Sequence, residues 1–560
     1  MSRATSVRDV LAAFAILLIS CVRPHPPPRR PRPVGADLSA ATALLRDAEE
    51  RAFGLIDGAR AMELVAELDR GFRVRGNEPY GASMAAIERE LVAALPRGAV
   101  SSFGAGGDLS AWTPRSAALE LRAEGLSEGL SFDRPEDVAR TMLAINSFST
   151  PPDGVDAEVR LLGAGDVRGA IALGGPDPAL TYERAVVQGG ALGVLIAPER
   201  EGPGGPDGIP FGEIPYDPAR RSFGVFLPRR LAWAVEGLLR RGARVKARVR
   251  VETSQGTSRA RTIVATLPGG DARAKSIVLC AHVDEPGAND NASGAAALVE
   301  VARALPRIDR TVRLIWGTEI ESPAEWLRSH GSEVEAAIAL DMVGEDPRAI
   351  GPLLVERTPD PGAIWTRPPD RHTGWGEAEV DPATIRGSAL AAVVVAALGT
   401  RAPGARTNPF EGGSDHEPFL DRGIPAVLVW HFPDDAYHTS LDRTGRVSAS
   451  ELRRVAAGVV AAVELLGRTD AAARDAALAI AEDAAVRRVD QELAASLRAL
   501  AGGSPLAHEE RILAAWGRFH DEALDGLAPA RELPRARARV AARLERALRR
   551  LRSETRRSGD

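Results

Sequence analysis

Four apolar runs in the middle of this chain each lead into a side chain that can bind a metal or carry a proton. Ser276 to Ala281 runs into His282, Thr311 to Trp316 leads to Glu319, Ala336 to Leu340 meets Asp341, and Ala426 to Trp430 is followed, after a short loop, by His438. Between the first two lies Gly287-Ala288-Asn289-Asp290-Asn291-Ala292-Ser293-Gly294, a loop that opens an apolar helical pattern. Strands alternating with helices predict an α/β fold with a mixed, mostly parallel central sheet covered by helices. In open sheets of this kind the ligand site lies beyond the carboxyl ends of the strands, so these residues converge despite distant numbering.

His, Asp and Glu supply the nitrogen and oxygen ligands that zinc takes in hydrolytic sites, and a carboxylate such as Asp290 can bridge two ions. A single His or Asp after a strand is more often a turn residue; the ordered set carries the argument. Composition narrows the partners. The 71 basic and 76 acidic residues leave a formal charge of −5, which gives no support for nucleic acid. Two cysteines, Cys21 and Cys280, cannot build a disulfide framework, and Cys280 reads as a small buried residue.

The segment Ala281-His282-Val283-Asp284, followed by Gly287 to Gly294, resembles the signature of metallopeptidase family 28, which holds di-zinc aminopeptidases and glutamate carboxypeptidases. Leu340-Asp341-Met342-Val343-Gly344, Gly413-Ser414-Asp415-His416-Glu417-Pro418-Phe419 and Tyr437-His438-Thr439 with Asp442 agree with it. The resemblance implies one zinc held by His282 and Asp341, a second held in part by His438, and Asp290 bridging both. Asp284 would orient the His282 imidazole, and Glu319 would be the general base for a metal-activated water attacking a peptide carbonyl.

One departure stands out. The family usually has two consecutive glutamates after this strand, the first the base and the second a ligand of the second zinc. Here the run is Gly317-Thr318-Glu319-Ile320-Glu321, so Ile320 occupies the ligand position. Glu321 reaching the metal through a bulge, Glu319 serving as ligand beside another base, and a weak or absent second site all stay open. The expected activity is a zinc exopeptidase acting on peptides, with the aminopeptidase form favoured; a one-zinc glutaminyl-cyclase reaction and a noncatalytic binding protein are the rivals. Asp415 and His416 receive no metal role, and His431 reads mainly as structural.

The remaining segments frame this region, 256–467. Residues 1–21 read as a signal peptide whose Leu18-Ile19-Ser20-Cys21 resembles a bacterial lipobox, with Cys21 acylated, and 22–36 as a Pro/Arg-rich tether. A lipid-anchored, extracytoplasmic protein of a bacterial envelope follows. Residues 37–149 are expected to be the N-terminal helical part of the catalytic body, with helical spacing from Leu38 to Leu95 and short strand-like runs between turns over 100–150. Residues 150–255 resemble a protease-associated domain, and 468–560 form a helical extension able to pack on the body or to mediate a homodimer.

Overall fold

The computed structural model describes residues 36–558, apart from 125, 127–128, 133–141 and 377–378. The signal peptide, Cys21 and the tether up to residue 35 lie outside the described residues. Among those described, no helix is long and apolar enough to cross a membrane.

Three helices come first: α1 (Ala36–Leu55), α2 (Gly58–Leu68) and α3 (Glu78–Ala94). Asp57 caps α2 by accepting the Ala59 N–H at 2.9 Å, and Asn77 caps α3 through the Tyr80 N–H at 2.9 Å. The central strands are β8 (Ser276–His282), β9 (Val312–Gly317), β10 (Val334–Leu340), β11 (Leu353–Glu356), β12 (Ala405–Asn408) and β13 (Ala426–Trp430). They lie in the order β12-β11-β13-β10-β8-β9, with β13, β10, β8 and β9 parallel and β11 antiparallel to β13.

Every residue of β8 is buried, as a continuous apolar run in a parallel strand requires. Ile277, Leu279 and Ala281 enter one core, with α1 to α3, α5 (Ala292–Ala304) and α8 (Ala449–Gly467); Val278 and Cys280 enter the opposite core, with α6 (Glu321–His330) and Phe419. The alanines of α5 let it sit close on the sheet. Its one buried acid, Glu300, is held by the Arg60 guanidinium at 2.6 Å and the Asp57 N–H at 3.0 Å, which ties α2 to α5.

Two 23-residue strands, β1 (Val100–Arg122) and β7 (Val245–Leu267), form one antiparallel ribbon. This narrows the helical part of 37–149: the helices end at Ala94, and the strand-like runs beyond residue 100 begin with one long strand. It also removes the boundary at 255/256, which falls inside β7. At one end Ile263 to Leu267 pairs with β9, and at the other Val245 to Val249 pairs with β3 (Val155–Leu161). The ribbon's middle, Thr253 to Arg259, is polar and half-buried to exposed, and its backbone hydrogen bonds to β1 are joined by the buried Trp112 and Thr113 of the facing strand. β4 (Ile171–Gly174), β5 (Gly193–Ile196) and β6 (Gly224–Phe226) follow β3 in parallel, and α4 (Arg229–Arg240) covers this inserted lobe, which has its own core.

After α7 (Leu390–Leu398) and α8, the chain ends in α9 (Ala471–Ala501), α10 (Leu506–Asp525) and α11 (Leu533–Ser558). The arginines of α11 face acids of the neighbouring helices: Arg537 pairs with Asp521 at 2.6 Å, Arg539 with Glu482 and Arg552 with Glu510.

Candidate metal centre

The site lies beyond the carboxyl ends of β8, β9 and β10, where the strand pattern placed it. His282 is the last residue of β8 and is buried. Past it the chain makes a loop whose polar side chains are spent on holding strand ends together. The Asn291 side chain accepts the Gly294 and Met342 N–H groups at 3.0 and 3.1 Å and donates to the Leu340 carbonyl at 2.9 Å. That triple tie docks the start of α5 on the end of β10 and brings Asp290 beside Asp341. Asn289 accepts the Gly344 N–H at 3.1 Å and donates to Asp434 at 3.1 Å. Asp442 accepts the Asn289 and Asp290 N–H groups at 2.7 and 2.9 Å. Its carboxylate lies so close to Gly287 that a Cβ there would collide with it.

The donors converge in two overlapping sets. His282 Nε2 stands 3.4 Å from Asp290 Oδ1 and 3.9 Å from Asp341 Oδ1. His438 Nε2 stands 3.2 Å from Asp290 Oδ2 and 3.2 Å from Glu285 Oε2. Asp290 thus turns one oxygen to each imidazole. Within each of the triads His282–Asp290–Asp341, His282–Glu285–Glu319 and Glu285–Asp290–His438, the donor atoms lie within 4.8 Å of one another.

The electrostatics describe a pocket of crowded negative charge. Burial pushes Asp341 up to about 7 and Glu285 up to about 8, and raises Glu319 well above the carboxylate range. Burial would raise Asp290 too, but hydrogen bonds from His282 and His438 hold it well below its ordinary value. Both imidazoles, which burial alone would keep neutral, are drawn well above the usual histidine value by the acids around them. Asp341 Oδ2 accepts the Ser414 hydroxyl at 2.9 Å, while its Oδ1 is buried with no hydrogen-bond partner and faces His282. An oxygen left this way among nitrogen and carboxylate donors fits a divalent cation, and the donor types fit zinc.

The expected residues separate into those brought together and those not. His282, Asp290, Asp341, His438 and Glu319 share the site; Glu319 Oε1 lies 3.9 Å from His282 Nδ1. Glu321 does not join them: it opens α6, is partly exposed and pairs with Arg75. Asp284 accepts the Glu319 N–H at 2.9 Å, so it positions the Glu319 turn. The carboxylate beside His282 Nδ1 is Asp415, with Oδ2 at 3.5 Å and Oδ1 accepting the Ile320 N–H at 2.8 Å. His431 bonds Glu451 at 3.1 Å and His416 bonds Glu356 at 2.9 Å, both away from the metal donors.

Sequence reasoning missed Glu285 and Arg73, and it named Asp415 in a motif without its contact to His282. Glu285 directly follows Asp284, so its place in the motif was visible but its direction was not. Arg73 is wholly buried beneath the loop and donates to the carbonyls of Val283 at 3.1 Å, Gly287 at 2.6 Å and Leu68. The inserted lobe closes on the site from the other side: Phe211 donates its N–H to the His438 carbonyl at 3.2 Å, and its ring lies 4.6 Å from the imidazole. Tyr437 stacks on His438 at 3.8 Å, and Trp375 stands 5.3 Å from Tyr437.

Residues 262–463 match the family model of peptidase family M28. The chain carries a peptidase family M28 domain. That M28 domain spans the strand ends and every metal donor described above. A relative, the probable lipoprotein aminopeptidase LpqL of Mycobacterium tuberculosis, is 28% identical over 314 residues, which cover 50% of this chain and 57% of LpqL. The chain therefore matches little more than half the length of that relative. Among solved structures, the zinc aminopeptidase BSAP of Bacillus subtilis is similar at 18% identity and a TM-score of 0.50, over 74% of this chain and 96% of that one. A peptidase M28 precursor from Shewanella amazonensis is similar at 15% identity and a TM-score of 0.53, over 78% and 98%. Both share the fold of the M28 domain and its sheet.

Proposed function

We propose that this chain is a zinc-dependent aminopeptidase. The observation that carries the reading is Asp290, buried between two imidazoles with one carboxylate oxygen facing each, while Asp341 presents an unpartnered oxygen to the first. His282 and Asp341 would hold one zinc and His438 a second, with Asp290 shared between them. When bound, zinc polarises a carbonyl and lowers the pKa of a water.

The chain's own residues supply the rest. Glu319, buried beside His282 and fixed through its N–H by Asp284, takes the proton of the attacking water and returns it to the leaving amine. Asp415 holds His282 with Nε2 turned to the donors, because its carboxylate meets Nδ1. The amino end of the peptide is the reading that the relative supports, LpqL being named a probable lipoprotein aminopeptidase. The aromatic wall of Phe211, Trp375 and Tyr437 suits an apolar side chain.

The same proposal includes lipid anchoring at Cys21 in the cell envelope, outside the cytoplasm and either periplasmic or at the cell surface, supported by the lipobox-like start, and a protease-associated-type lid for the inserted lobe. Mass spectrometry tests the activity. The purified full-length protein with zinc should shorten free peptides stepwise from the amino end, leave amino-acetylated peptides intact, and stop when a chelator is added. Loss from the carboxyl end, or ammonia release from amino-terminal glutamine without shortening, would overturn it.

A further inference from the structure

We propose that Glu285 is a metal ligand, completing with Asp290 and His438 the second divalent-cation position that Ile320 leaves without its usual side chain. The inference rests on the two-metal reading above and assigns to it a ligand that the sequence motif does not contain.

The geometry is specific. Glu285 Oε2 and Asp290 Oδ2 each lie 3.2 Å from the same atom, His438 Nε2. A ring nitrogen carries at most one proton, so it cannot give each of the two oxygens a hydrogen bond of its own. A cation seated among the three atoms would be coordinated by all of them, and one imidazole with two carboxylates is an ordinary zinc donor set. Among the described residues no arginine or lysine pairs with Glu285. Arg73, the nearest buried cation under the loop, spends its donors on the backbone carbonyls of Leu68, Val283 and Gly287. It fixes the loop on both sides of Glu285 and gives its donors to backbone carbonyls, not to that side chain.

The turn after β9 offers no competitor. Ile320 donates its N–H to Asp415, and Glu321 pairs with Arg75 through Oε1 while its buried, unpartnered Oε2 belongs to none of the donor triads. Glu319 is left as the only acid of that turn in the site, free to serve as base. The carboxylate that moved from one strand end to the next loop therefore keeps two cations bound without consuming the base.

Zinc content of the full-length protein, equilibrated against buffered free zinc and measured by mass spectrometry of the metal, tests this directly. Wild type and Glu321→Gln should hold two zinc ions, Glu285→Gln one, and Glu285→Asp two with the second held more weakly. Two equally tight ions in Glu285→Gln, or loss of one in Glu321→Gln, would overturn the assignment. A single ion in wild type would overturn it as well, while the acetylated-peptide assay judges the peptidase reading separately. Should Glu285→Gln fail to fold, zinc-edge anomalous scattering from wild-type crystals decides. A second peak about 2.0–2.2 Å from a Glu285 oxygen supports the ligand, and a second peak bonded elsewhere refutes it.

Discussion

A carboxylate beside an imidazole acts according to which nitrogen it meets. At His282, Asp290 and Asp341 face Nε2 and compete for whatever binds there, whereas Asp415 faces Nδ1 and sets the tautomer. Replacing Asp415 by Asn keeps the shape and removes the charge, so zinc affinity should fall by roughly 10- to 100-fold in a chelator competition, with the fold retained. Glu319→Gln should behave in the opposite way. Its zinc content should equal that of wild type while kcat falls by about 100-fold or more, the usual worth of a positioned acid-base group. Loss of zinc in Glu319→Gln would make it a ligand and not the base. These residues differed in how visible they were. His282, Asp290, Asp341 and His438 could be read because each sits at a fixed offset from an apolar run or a glycine-rich motif. Asp415 stood in a motif, but its partner could not be read, because its loop has no periodicity and the contact spans 133 positions of chain, from His282 to Asp415.

At the scale of elements, the loop from Val283 to Asn291 is a strand-to-helix turn held by groups from three other places in the chain. Arg73 reaches it from the segment between α2 and α3, Asp442 from beyond β13, and the end of β10 meets Asn289 and Asn291. Arg73→Met would orphan buried carbonyl acceptors at about 1–3 kcal/mol each. A loss of at least about 3 kcal/mol is expected in urea unfolding, with zinc affinity falling alongside it. Unchanged stability would show that water replaces the guanidinium. The apolar strands β8, β10 and β13 were legible because burial on both faces demands an unbroken apolar run. The β1–β7 ribbon was not. A sequence such as Thr253-Ser254-Gln255-Gly256-Thr257 is polar and half-buried to exposed, and carries no alternation to mark a strand.

At the scale of the molecule, the C-terminal helices are part of the catalytic body. Asp370 is shared by Arg357 and Arg488 at 2.8 Å each, and Arg367 binds Glu492 of α9 at 2.7 Å and Glu509 of α10 at 2.6 Å. His520 sits buried beside this network, and burial, then the charges of Arg488 and Arg357, pushes it down to about 3. Its folded value lies below the ordinary 6.5, so the unfolded chain binds the proton first as pH falls. The stability that neutral His520 preserves is complete above 6.5 and is lost between 6.5 and 3, at about 1.4 kcal/mol per pH unit. His520→Leu should therefore show a shallower decline than wild type in urea midpoints measured between pH 7 and 5; parallel declines would show that other groups govern it. The account as a whole rests on the strand-end cluster being a hydrolytic metal centre. The most direct test strips the full-length protein of metal, follows amino-terminal release from an unblocked peptide, and adds zinc back in measured equivalents. The account predicts no turnover in the stripped protein and recovery that levels off at two equivalents. Turnover that survives removal of the metal would contradict it.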